Sequence, residues 1–439
     1  MMNRFGRDTS HLEGPRHGKP AGYATDCLEA VERLFGKEWL EQPDGHRLQR
    51  LWERRDWLAT CELFGLGKSI QNLLPKHEGW LQNTAKKIRS GIENAHGFIT
   101  EILICGSIGV REGEVYPAPG NQKGFDLVVD FASGFKYYIS IKSQGMAAHE
   151  AEFHNLSDRL KEAFAKRLDH IGLNGELYIE SNQYIKPSTL EFLIDFVGSR
   201  LSRPDEYTYA GCKMIFREML SGHKKYARSH KSNHVFIKCP QHRNALLNAK
   251  DKLIKAAENL KKSLPVSDCY ARHLWVRVHS STDIYVLEEA AKVMLEDLSK
   301  DYGFDSVHLF QTSVVRVAEK SQIVTCWKSV ASKFHRGSVW AMQEGRVRPL
   351  SFGLPVGLIS KEPSKTYITN GTESMLMPPG FYMYQKADIY HLMEQDGDAM
   401  VGEWSSPASG IRHHIVYTTD EQNALLTSPS VEVEETLII

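Results

Sequence analysis

Two runs with a two-residue period, separated by three residues, constrain this chain more than any other feature. In Phe125-Asp-Leu-Val-Val-Asp-Phe131, residues Phe125, Leu127, Val129 and Phe131 share one face, and Asp126, Val128 and Asp130 the other. In the next run Phe135, Tyr137, Ile139 and Ile141 share a face, with Lys136, Tyr138, Ser140 and Lys142 opposite. The connection Ala132-Ser133-Gly134 is short and contains glycine, which predicts a hairpin. If Phe131 faces Phe135, then Asp130 lies opposite Lys136 and Asp126 opposite Ser140. Lys142 is then one diagonal step from Asp126, so an acid and a lysine converge away from the apolar side.

Asp130 with Lys136 reads as a cross-strand charge pair, worth a fraction of a kcal/mol. For Asp126 and Lys142 a solvated strand edge competes with a reactive site. Phosphodiester hydrolysis calls for a divalent cation held by carboxylate oxygens, which polarises the phosphate and activates water. A neighbouring lysine can orient that water and balance the developing negative charge.

Gly124-Phe-Asp126-Leu-Val-Val, followed by Tyr138-Ile-Ser140-Ile-Lys142, resembles the PD-(D/E)xK nuclease superfamily, which includes restriction enzymes and Holliday-junction resolvases. The resemblance spans about residues 83–180, through the order helix, strand, hairpin, helix, strand. It implies an α/β fold, a restriction-endonuclease-like mixed sheet flanked by helices. It also implies Mg²⁺- or Mn²⁺-dependent hydrolysis of DNA, in restriction, defence or DNA processing. Asp126 would then bind metal, with Glu101 from the preceding helix, and Lys142 would handle the water. Ser140 departs from the pattern, because it stands where the family has Asp or Glu. The missing acid then comes from Glu101, Glu93, Glu150 or Glu152, with Gln144 as a neutral substitute. Otherwise the site has lost its metal, and the chain is an inactive nuclease-fold module that binds nucleic acid or a partner protein.

At 439 residues the chain is long enough for two or three domains. Residues 1–22 read as a mobile tail. A helical N-terminal region follows over 23–80, and the nuclease-like core with a basic helical segment over 81–312. A β-rich region occupies 313–439 and offers a surface for a homodimer or protein partner. Helical stripes are expected over 23–76 and again over 83–105, through Ile88, Ile92, Ala95, Ile99 and Leu103. A helix over 147–168, a strand at Glu176–Glu180, and a helix opened by a Ser188–Glu191 capping box follow. Gly65-Leu-Gly67-Lys68-Ser69 lacks the first glycine of a phosphate-binding loop and reads as a turn.

Acidic and basic residues balance at 54 each, so only the distribution of charge informs. Between Gly211 and Lys262, thirteen lysines and arginines face three acids, and Lys224, Lys225, Arg228 and Lys231 are candidates for phosphate contacts. No apolar run is long enough to span a bilayer, so no membrane partner is expected. Seven scattered cysteines without a CxxC pair point to reduced thiols and a cytoplasmic protein.

Overall fold

The computed structural model describes residues 3–10, 12–13, 18–42, 46–91, 95–109, 113–119, 124–218, 233–279, 281–297, 299–317, 320–332, 351–352, 357–363, 367–370, 373–376, 380–388, 394–396, 399–403, 414–417 and 422–423. The chain forms two compact units, one from Met1–Gly145 and Leu246–Ser364, the other from Met146–Ala245 and Lys365–Ser430. It leaves the first unit just after the hairpin, builds most of the second, and returns. The expected continuous core over 81–312 is therefore divided, and the 313–439 region contributes strands to both units. Periodicity identifies strands and helices but says nothing about which sheet a strand joins.

The first unit opens with helices α1 (Tyr23–Phe35), α2 (Lys37–Leu40), α3 (Arg47–Glu53), α4 (Trp57–Arg89) and α5 (Ala95–Ser107). The Asp56 carboxylate caps α4 by accepting from the Ala59 amide. Gly65–Ser69 lies inside α4 and is not a turn. A Cβ on Gly67 would collide with the Cys27 carbonyl of α1, so the glycine serves a close helix crossing. The stripe expected over 83–105 is split between two helices, because Ser90 ends α4 and Gly91 takes φ +69°.

The N-terminal segment is anchored where a mobile tail was expected. Arg7 is fully buried and donates to Trp52 O (2.6 Å), Leu51 O (3.4 Å) and Thr60 Oγ1 (3.3 Å). It thereby serves carbonyls that the end of α3 leaves without helical partners. Burial pushes its guanidinium down to about 9. Arg7→Ala should cost about 2 kcal/mol, the penalty for stranding buried carbonyls. Thermal unfolding would measure this, and an unchanged midpoint would show that the anchor is not needed.

A seven-stranded sheet forms the middle layer of this unit. Its order is β13 (Leu358–Ser360), β11 (Lys320–Ala331), β10 (Ser306–Val317), β9 (Tyr270–Arg277), β4 (Lys136–Ser143), β3 (Leu127–Phe131) and β2 (Gly113–Pro117). Strands β2, β3 and β4 run antiparallel, and β9 and β10 continue parallel to β4. The hairpin has the expected register, with Asp130 opposite Lys136 and Leu127 opposite Ile139. The Asp130–Lys136 pair closes at 2.6 Å on the surface, as expected of a cross-strand ion pair. Leu127, Val129, Tyr137, Ile139 and Trp275 pack into one core with α1, α4 and α5. Leu274, Val276 and Val307 pack on the opposite face against α8 (Ala245–Ser263) and α9 (Ile284–Glu296). Covered on both faces, β9 is almost wholly buried, as parallel strands usually are. The short strands β1 (Ile108–Gly109) and β12 (Ser351–Phe352) pair separately.

The strand that joins β4 across the sheet is β9, and not the Glu176–Glu180 segment. That segment, β5 (Gly175–Glu180), lies in the five-stranded sheet of the second unit. Its companions are β6 (Asp205–Tyr209), β7 (Cys212–Glu218), β8 (Asn233–Pro240) and β16 (Phe381–Asp388). Helices α6 (Ala148–Ile171) and α7 (Pro187–Ser199) cover one face through Phe164, Leu168, Leu190 and Leu193. The Ser188–Glu191 capping box does not form, since Lys186 precedes the helix and Glu191 instead accepts two bonds from Arg159. The pair β14 (Tyr367–Asn370) and β15 (Glu373–Leu376) follows. A last sheet combines β17 (Glu394–Asp396), β18 (Ala399–Glu403), β19 (His414–Tyr417) and β20 (Gln422–Asn423). Among the described residues no helix is long and apolar enough to cross a membrane.

Candidate active site

The hairpin's acid and lysine meet because the chain is pinned just before β3. Gly124 takes φ +105°, and a Cβ there would lie 2.6 Å from the Asn259 carbonyl of α8. Only glycine passes this point without strain. Two residues later the Asp126 amide donates to Ile139 O (2.8 Å), and its carbonyl accepts from the Ala118 amide (2.9 Å). Both main-chain groups of Asp126 are thus fixed between the flanking strands, which leaves its side chain a single direction.

That side chain gathers three donors on one oxygen. Asp126 Oδ2 accepts from the Ile141 amide (2.6 Å), the Ser140 hydroxyl (3.1 Å) and Lys142 Nζ (3.4 Å). Oδ1 accepts no hydrogen bond among the described residues. Ser140 is 1% exposed, so its hydroxyl is a buried donor whose partner is this carboxylate. Glu101, on α5, completes the cluster electrostatically. Burial and then the charge of Asp126 push its carboxyl up to about 8, while Lys142 and Lys87 pull it back. A buried carboxyl that also feels the charge of Asp126 ionises less readily unless a cation offsets both effects.

No known protein family, curated protein or solved structure matches this chain.

Of the residues singled out in the sequence, Asp126, Ser140 and Lys142 come together, and Glu101, in the same unit, feels the charges of Asp126 and Lys142. Gln144 lies just beyond the end of β4, where its backbone amide donates to Arg277 O (2.8 Å). Glu150 and Glu152 belong to the second unit, since the chain leaves the first at Gly145. There the charge of Glu150 acts on Tyr382 and that of Glu152 on Tyr184. Glu93 lies outside the described residues, as do Lys224, Lys225, Arg228 and Lys231. The rest of the basic run is divided between the units, and several of its cations are paired. Lys213 meets Glu206 (3.2 Å), Lys238 meets Glu180 (2.7 Å) and Lys262 meets Glu258 (3.7 Å).

Two participants were not foreseen. The Ile141 amide binds Asp126 more closely than either side chain does, and no residue type announces a backbone donor. Lys87 was passed over because 83–105 reads as one stripe, and the effect of its charge on Glu101, carried from one helix to the next, leaves no local sign.

Carboxylate oxygens are the donors that a hard divalent cation takes, and Asp126 and Glu101 supply them here. Among the described residues no three His, Cys, Asp or Glu side chains gather as a metal group. Mg²⁺, however, is usually held by one or two carboxylates with water and substrate phosphate completing the shell. Asp126 Oδ1 and the Glu101 carboxylate are the oxygens that would hold it.

Proposed function

We propose that this chain is a metal-dependent endonuclease that hydrolyses DNA phosphodiesters, with the sheet of the first unit as a restriction-endonuclease-like core. The observation that carries this reading is the meeting of Asp126 and Lys142 at 3.4 Å, with the charges of both acting on the buried carboxyl of Glu101 from the preceding helix. A Mg²⁺ or Mn²⁺ ion bound there would polarise the phosphate and lower the pKa of a bound water. The chain's own part is orientation and charge. The Lys142 ammonium, tethered to Asp126, holds the attacking water and stabilises charge developing on the phosphate oxygens. Ser140 and the Ile141 amide fix the Asp126 carboxylate so that Oδ1 stays available. The order α5, β2, β3, β4, then a helix and a parallel strand, supports the reading, with the second unit inserted before that helix.

The rival reading, a nuclease-fold module that binds without cutting, draws on one observation. Ser140 supplies a hydroxyl where a second strand carboxylate would stand, so the site has two acids instead of three. The test is incubation of plasmid and linear DNA with the protein in Mg²⁺, in Mn²⁺ and in EDTA. Cleavage in both metals and none in EDTA is expected. DNA retained but never cut in either metal would favour the rival.

The Glu101 carboxyl also sets a pH dependence. Below about 8 it holds a proton in the metal-free protein, and a cation must displace that proton to bind. Mn²⁺ affinity should therefore rise about tenfold per pH unit up to that value and level off above it. Calorimetry between about pH 6 and pH 9 would follow this, together with the proton released. An affinity flat across the range would remove Glu101 from the ligand set.

A further inference from the structure

Away from the acid and lysine of the hairpin, the sheet of the first unit encloses a second set of titratable groups. His273 of β9 and His308 of β10 meet through ring nitrogens, with Nδ1 of the first 3.2 Å from Nε2 of the second. The ring planes differ by 9° and the ring centres stand 5.5 Å apart. That separation is about as long as a 3.2 Å contact between ring nitrogens permits, so the two nitrogens face each other head-on. Such an approach suits a single proton on the line between them. Hydroxyls extend the chain at both ends. Ser329 Oγ of β11 lies 2.9 Å from His308 Nδ1, and Ser306 Oγ of β10 is hydrogen-bonded to His273 Nδ1. Side chains thus join β9, β10 and β11 in addition to the backbone pairing of these strands.

The surroundings of the pair are aromatic. The Tyr137 ring lies 4.1 Å from that of His273, and Trp275 and Trp327 lie 5.1 and 5.8 Å from that of His308, centre to centre. Burial pushes the Tyr137 hydroxyl up to about 12, so it stays neutral. Arg272 and Lys328, the charged neighbours along β9 and β11, are paired with Asp301 and Asp305 and with Glu288. Among the described residues no charge acts on His308, and burial alone pushes it down to about 4. We propose that the His273–His308 pair is an acid-sensitive latch, which ties β9, β10 and β11 together while neutral and releases them when it gains a proton. That proton reaches His308 Nδ1 from the side of Ser329, which is exposed, and sets a whole charge among three aromatic rings with no acid to balance it. The unfolded chain takes the same proton near the ordinary value of 6.5, and the folded chain only near 4. The stability that the neutral pair supplies is therefore complete above about 6.5 and is lost as the pH falls towards 4. None of this depends on the chemistry at Asp126.

The intact chain would be unfolded in urea at about pH 7 and about pH 4 and followed by tryptophan fluorescence, because Trp275 and Trp327 flank the pair. Between these values the unfolding constant of the parent should rise about a hundredfold more than that of His308→Gln, whose side chain cannot take a charge. Equal rises in the two proteins would overturn the latch. Should His308→Gln fail to fold, nuclear magnetic resonance of ring-labelled histidine in the parent decides. Ser329→Ala, a change at an exposed position, should shift one of the parent's histidine signals, that of His308. In the parent this signal should titrate near 4. A midpoint between about 6 and 7, the ordinary histidine range, would show that the pair gains its proton without loosening the sheet and would end the proposal. No shifted signal at all would break the chain at Ser329 and end it equally.

Discussion

Asp126→Ala is expected to lower DNA cleavage by about a thousandfold or more, since removing a metal ligand forfeits several kcal/mol of transition-state stabilisation. The alanine protein has a second defect that must be separated from the first. It leaves the Ile141 amide and the Ser140 hydroxyl without their acceptor, at a cost of about 1–3 kcal/mol in stability. Asp126→Asn retains an acceptor oxygen for the amide and should lose cleavage while keeping its unfolding midpoint. Lys142→Ala should lose about a hundredfold to ten-thousandfold, the range for a positioned group acting on the water or the developing charge. Plasmid nicking at several enzyme concentrations, with thermal unfolding of each variant, would check this. Parental activity in Asp126→Asn would remove the site assignment altogether.

The second large effect is expected at Ser140. Its side chain is enclosed and touches Asp126 Oδ2 at 3.1 Å. Ser140→Glu places a third carboxylate in this cluster, where an unpaired buried charge costs about 3–5 kcal/mol. In EDTA the variant should melt well below the parent, and Mn²⁺ should restore much of the difference. If the two-acid site works, the parent already binds Mn²⁺, and the variant should bind it with altered preference and cut more slowly. If the site has decayed, the parent should bind none, and the variant should gain binding. Calorimetric titration of both proteins separates these cases. Identical melting and identical binding would mean that Ser140 does not face the cluster.

How much of this was legible in the sequence follows from the range over which each feature is encoded. The alternation over 125–142 specifies the hairpin and its register, because a one-residue slip would turn Leu127, Val129 and Ile139 to the wrong face. Glu101 was singled out through the resemblance, which expects a Glu on the helix ahead of that hairpin, since the apolar stripe leaves both Glu93 and Glu101 off it. The strand partner of β4 was not, because β9 is buried on both faces and its sequence shows no polar side. Gly67 reads as a turn former in isolation, and only the Cys27 carbonyl explains it. Arg7 looked like tail composition, since no local pattern reveals that distant carbonyls need a donor. That Glu150 and Glu152 belong to another unit was not legible either, because the chain changes units between the hairpin and α6.

That change of units also bears on how the molecule comes into being. Residues 136–143 pair with 270–277, and residues 233–240 pair with 381–388. Each sheet therefore waits for chain synthesised after the other has begun, and such long-range pairings slow folding even where they cost little in equilibrium stability. At about 5–20 residues per second, β4 waits on the order of ten seconds for its parallel neighbour to be translated. Through that interval it presents an open strand edge, which is where misdirected pairing starts. A nascent chain stopped within the second unit would carry Asp126 and Lys142 on a hairpin backed by α1, α4 and α5 but still without α8 and β9, so the sheet around them closes only when translation has passed the return point.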